Sequence, residues 1–127
     1  MIILLDTHVV IWWLGDSIRL SQRALTILAN KKNTLLVSSA SAWELSIKVS
    51  LGKFAAIDVL AELENELASG DFAELSIDIK QAIRAGSLPR HHRDPFDRLL
   101  VAQSQSLNVP ILSADKLLDN YGVQRIW

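Results

Sequence analysis

Short apolar runs and longer stretches with helical spacing alternate along the chain. Ile2 to Leu5, Leu35 to Val37, Phe72 to Ile77, Val109 to Leu112 and Val123 to Ile126 have the length and branched-residue content of strands. The segments between them carry helix start and stop signals. Ser21 precedes Ala24, Leu25, Ile27 and Leu28; Asp58 opens Leu60, Leu63 and Leu67, which end before Gly70; Asp78 opens Ile79, Ala82 and Ile83, which end at Gly86. In Asp94-Pro95-Phe96-Asp97 the first Asp can cap free amides and Pro fits the first helical position, so a helix is expected from about Pro95 to Leu107.

Strands alternating with helices, rather than grouped in blocks, predict an α/β fold with a mostly parallel sheet. Parallel strands need crossovers, and right-handed crossovers place helices on both faces. No repeat or linker-like stretch interrupts the sequence, and 127 residues suit one domain, 1–127. In such sheets ligands bind beyond the carboxyl ends of the strands, which is where chemistry is to be sought.

Composition narrows that chemistry. Half the residues are hydrophobic and 21% charged, so the chain is not a disordered one. The longest apolar run, Val9 to Leu14, is too short for a membrane span, and the start lacks the flanks of a signal peptide, so a cytoplasmic protein without membrane contact is expected. There is no cysteine, which excludes disulfides, thiolate metal sites and a thiol nucleophile. A net charge of −1 does not mark a nucleic-acid binder, yet Arg84, Arg90, His91, His92, Arg93 and Arg98 cluster locally, and such a patch can hold phosphates.

Four acids stand at or near the expected carboxyl edge. Asp6 follows the first strand directly, Asp115 follows the fourth after Ser113 and Ala114, Glu44 lies on the opening turns of a helix after the second strand, and Asp97 lies in the first turn of the helix before the fourth. Each has an ordinary structural explanation: Asp6, Asp94 and Asp115 as helix caps, Asp97 as a first-turn acid, Glu44 as the partner of Lys48, Asp119 as a surface acid. Convergence changes the balance. Two unit charges about 4 Å apart repel by about 4 kcal/mol at a protein-like dielectric, so four carboxylates in one crevice call for a cation. Oxygen ligation suits Mg²⁺ or Mn²⁺, and the chemistry that follows is phosphodiester hydrolysis.

Leu4-Leu5-Asp6-Thr7-His8, Trp43-Glu44-Leu45-Ser46-Ile47-Lys48, His92-Arg93-Asp94-Pro95-Phe96-Asp97-Arg98 through Gln103, and Leu112-Ser113-Ala114-Asp115 together resemble, in order and spacing, the motifs of PIN-domain toxins of the VapC type. The resemblance covers nearly the whole chain. It implies a three-layer α/β/α fold, metal-dependent endoribonuclease activity on cellular RNA, a homodimer, and inhibition by a cognate antitoxin in a type II toxin–antitoxin pair. It places the family's catalytic and metal-binding acids at Asp6, Glu44, Asp97 and Asp115, with Asp94 as a neighbour and Thr7 and Ser113 as accessory polar groups. Ser113 stands where many relatives carry Thr, which keeps the hydroxyl.

Other features bear on partners. Trp12 and Trp13 are adjacent on an apolar helix, so one of them is expected at a dimer or antitoxin surface. The cluster Arg90 to Arg93 is a solvated loop or a holder of the substrate backbone, with His91 or His92 as acid–base candidates. Rival readings are a receiver-like phosphoacceptor, an aspartyl phosphatase, and a PIN-like domain that binds or processes RNA without a toxin role. The first two want acid pairs that Asp6-Thr7-His8 and Ser38-Ser39 do not supply.

Overall fold

The computed structural model describes residues 1–53 and 57–127. Five strands, β1 (Ile2–Leu5), β2 (Thr34–Ser38), β3 (Ala73–Leu75), β4 (Ile111–Leu112) and β5 (Arg125–Ile126), form one sheet in the order β3-β2-β1-β4-β5. All four pairings are parallel, which sharpens the expected mostly parallel sheet. The chain steps outward from β1 to β3, then returns across the sheet to β4 on the other side of β1. The crevice at the carboxyl ends of β1 and β4 is therefore the topological switch point. A receiver-like sheet runs 2-1-3-4-5 instead, so that alternative fails on strand order.

Alternation along the strands feeds two cores. Ile3, Leu5, Leu35, Val37 and Leu112 point to one face, where they meet α1 (Thr7–Gly15), α2 (Gln22–Ala29), α4 (Ile57–Ser69) and Leu45 of α3 (Ser39–Ser50). Leu4 and Ile111 point to the other, against Leu100 and Val101 of α6 (Pro95–Leu107), with Leu88 after α5 (Ile79–Ser87) and Leu118 closing the edge. Each fully buried Leu or Ile contributes roughly 1.5–3 kcal/mol relative to exposure. The three-layer arrangement read from the sequence is the one observed.

Several boundaries differ from expectation. The strands around 72–77, 109–112 and 123–126 are shorter than their apolar runs. For β4 the cause is local: Val109 closes the end of α6, its N–H on Ser104 O and its carbonyl on Ser104 Oγ, and Pro110 has no N–H for a ladder. Asp58 does not open α4, which begins at Ile57, so Asp58 is a first-turn acid favoured by the helix dipole. Ser21, Asp78 and Asp94 do cap their helices, Asp78 through a reciprocal pair with Gln81. Trp12 and Trp13 are both half-buried, because α4 and Trp127 cover the flanks of α1; the exposed tryptophan is Trp43, at 62%. Among the described residues no helix is long and apolar enough to cross a membrane.

Candidate active site

The switch-point crevice is lined from four directions. β1 ends in Asp6, β4 leads through Ser113 to Asp115, α3 enters with Glu44 in its second turn, and α6 presents Asp97 in its first. Asp6 occupies the N-cap position of α1 but makes no side-chain cap bond. Its Oδ2 instead accepts from Ser113 Oγ, and its Oδ1 is buried with no hydrogen-bond partner among the described residues. Glu44, 5% exposed, does pair with Lys48, at 2.8 Å through Oε2, but its Oε1 is likewise buried and unpartnered. A buried carboxylate oxygen without a donor is unfavourable unless a proton or a cation completes it.

The electrostatics of Asp97 show the crowding directly. Burial raises its pKa first, then the charges of Asp94, Asp6 and Glu44 add to it, while His92 opposes them; the result is about 7. Burial also pushes the Asp6 carboxyl up, against the Ser113 hydrogen bond. Asp115 is held differently, with Oδ1 capping Leu117 N–H at 3.0 Å and Oδ2 2.7 Å from His92 Nε2. One donor atom from each of His92, Asp97 and Asp115 lies within 4.8 Å of the others, a spacing that one divalent cation can bridge. The donor set and the two orphaned oxygens fit a hard divalent cation.

Around the acids, Thr7 Oγ1 and Ser41 Oγ lie 2.8 Å apart and fasten the starts of α1 and α3. Trp43 and Phe96 meet edge to face at 5.4 Å, joining α3 to α6 beside Glu44 and Asp97. The basic cluster divides. Arg93 is exposed, but Arg98, expected to contribute to a phosphate patch, is buried and bonds the carbonyls of Gly86, Leu88, Pro89 and His92. It holds the loop before α6, so it is not available to substrate. His91 is exposed and His92 buried. Asp119 pairs with Arg125 and is 55% exposed, in keeping with its surface assignment. The role of Tyr121, which contacts both His91 and His92, was missed from sequence; a lone tyrosine 29 positions away carries no local signal.

Solved structures with this fold cover nearly the whole chain. The VapBC2 structure of Rickettsia felis, bound to a promoter DNA fragment, aligns with a TM-score of 0.74 at 16% identity, covering 99% of this chain and 98% of that one. The DNA-bound VapBC of Salmonella typhimurium gives 0.75 at 17%, covering 99% and 97%, and FitAcB of Neisseria gonorrhoeae 0.69 at 18%, covering 98% and 96%. At such identities the likeness is one of fold. No curated protein matches the sequence. The sequence does match the PIN domain over residues 3–124, and the chain belongs to the PIN domain family.

Proposed function

We propose that this protein is the toxin of a type II toxin–antitoxin pair, a divalent-metal-dependent endoribonuclease acting through Asp6, Glu44, Asp97 and Asp115. One observation carries the reading: acids from four separate elements, Asp6 and Glu44 buried and Asp97 and Asp115 half-buried, stand around the switch point, with Asp97 raised to about 7 and an unpartnered oxygen on both Asp6 and Glu44. Caps and surface pairs do not leave buried carboxylate oxygens empty.

Mg²⁺, or Mn²⁺ in its place, would be held by Asp6, Glu44, Asp97 and Asp115. When bound it supplies an activated water and neutralises charge on the scissile phosphate. The chain's own groups do the rest. Asp97, pushed up to about 7 by burial and its acidic neighbours in the metal-free protein, would give up that proton to a bound cation. Ser113 fixes the Asp6 carboxylate, and Lys48 balances the second oxygen of Glu44. An open cleft of about 400 Å³ beside Glu44, lined also by Lys53, Arg93 and Phe96, supplies cations for an RNA backbone and an aromatic face for a base.

The VapBC relatives, and the resemblance to VapC-type toxins, support a cognate antitoxin and a homodimer as parts of this reading. A groove of about 620 Å³ between α1 and α4 is lined by Ile11, Trp12, Leu14 and Val59 and by Asp58 and Glu62, with Asp16 paired to Arg19 beside them. That suits an amphipathic segment with basic side chains. Purified protein should cleave RNA with Mg²⁺ or Mn²⁺, stop in EDTA, and be silenced by co-expression with the adjacent gene product. Undiminished cleavage in EDTA overturns the metal mechanism.

A further inference from the structure

The loop before α6 carries His92 into the crevice wall, where its side chain is 6% exposed. The Tyr121 hydroxyl accepts the backbone N–H of His92 at 2.9 Å and lies 3.0 Å from His92 Nδ1. The Asp115 carboxylate can only accept, so Nε2 carries the hydrogen toward Oδ2, 2.7 Å away, and on the neutral ring Nδ1 is left to accept from the Tyr121 hydroxyl. Tyr121 also stacks on the ring, at 5.4 Å between centroids. Arg98, bonded to Gly86 at the end of α5 and to the loop carbonyls of Leu88, Pro89 and His92, prevents the loop from carrying the ring away.

Asp115 is consequently held at both oxygens, by the Leu117 N–H and by His92. Its side chain is 36% exposed, against 7% for Glu44, so packing alone does not fix its rotamer. We propose that His92 is a positioning residue, which holds Asp115 in its metal-binding orientation through an Nε2–H bond whose tautomer Tyr121 sets. This rests on reading the acids as a metal site. Hydrogen-bond partners of ligating carboxylates govern metal affinity by about 10–100-fold.

The test is Mn²⁺ affinity by EPR titration of the full chain, with metal-free thermal melts as the folding control. His92→Leu should weaken Mn²⁺ about 10–100-fold. His92→Gln, whose Nε2–H can reach the same oxygen, should restore most of that loss. In an Asp115→Asn background the His92→Leu change should add little, since its partner carboxylate is gone. If His92→Leu does not fold, Tyr121→Phe decides: nitrogen NMR of the wild type should report the Nε2–H tautomer, and Tyr121→Phe should shift it toward Nδ1–H and weaken Mn²⁺. Wild-type affinity in a folded His92→Leu, or no rescue by Gln, overturns the proposal. A directly bonded nitrogen on Mn²⁺ in the wild type, lost in His92→Gln, also overturns it, because the ring is then a ligand. The expected ranking in a protein that cleaves no RNA leaves the positioning role standing and removes the nuclease reading. No Mn²⁺ binding by the wild type removes both.

Discussion

Ser113 donates its hydroxyl hydrogen to Asp6 across 107 positions of sequence and, with the same oxygen, accepts the backbone N–H of Asp115 at 3.0 Å. One buried hydroxyl thus couples the two strand-end acids. Ser113→Ala removes the side-chain donor to the Asp6 carboxylate. Loss of a buried hydrogen bond of this kind destabilises by about 1–3 kcal/mol. Urea titration should show that loss for Ser113→Ala and a smaller one for Ser113→Thr, which keeps the hydroxyl. Equal stability of Ser113→Ala and wild type would show that the bond does not hold Asp6.

The raised Asp97 pKa sets a pH dependence with a definite sign. Between its ordinary value of 3.8 and about 7, the folded protein retains a proton that the unfolded chain has released. The stability of the metal-free protein therefore falls as pH rises through that window and levels off above it. Asp6, raised by burial, acts in the same direction. Asp97→Asn should flatten the slope, measured by denaturant titrations in EDTA across the window. An unchanged slope would mean that Asp97 is not the group responsible.

What the sequence made legible was local. Asp94 and Pro95 mark the start of α6 because a cap and a fixed φ act within one turn, and the observed helix is Pro95–Leu107. Asp6 and Asp115 follow their strands, so any parallel arrangement puts them on one edge. The remainder depends on contacts between distant segments. Arg98 looks like a phosphate cation in sequence, since charge says nothing of where its N–H groups find acceptors; in the fold its two terminal nitrogens meet four backbone carbonyls between Gly86 and His92. His91 and His92 are indistinguishable until Tyr121 and Asp115 arrive from 23 to 29 positions away. Which tryptophan is exposed depends on what packs over α1 and α3, and that is a tertiary fact.

Arg98 replaces secondary structure in the stretch before α6, satisfying carbonyls that no strand or helix reaches. Arg98→Met keeps much of the buried stem but leaves those acceptors unpaired, and Arg98→Lys offers one nitrogen where the guanidinium offers a planar set. Leaving buried acceptors of this kind unpaired should destabilise by about 1–3 kcal/mol. Limited proteolysis should open first between Ser87 and Arg93 in both variants. A melting temperature unchanged in Arg98→Lys would show that a point charge suffices.

The final prediction separates catalysis from capping, now with a structural control. Asn caps a helix about as well as Asp but brings no full charge to a cation. Asp6 makes no cap bond, Asp115 caps Leu117, and Asp94 caps Phe96 at 2.8 Å from an exposed position. Asp6→Asn, Glu44→Gln, Asp97→Asn and Asp115→Asn should each lower RNA cleavage by about two orders of magnitude or more while the fold persists. Asp94→Asn should keep the cap and the activity, and Asp94→Ala should lose about 1 kcal/mol of stability with cleavage retained. The metal-free Asp97→Asn protein should be more stable than wild type near neutral pH, because one charge leaves a crowded cluster. Mg²⁺ should raise the wild-type melting temperature and raise it less in each of the four variants, since a ligand stabilises only the state that binds it. Paired melts and cleavage assays on these six variants distinguish the alternatives. Wild-type turnover by Asp6→Asn or Asp115→Asn would leave those two acids as structural groups and move the reaction centre elsewhere.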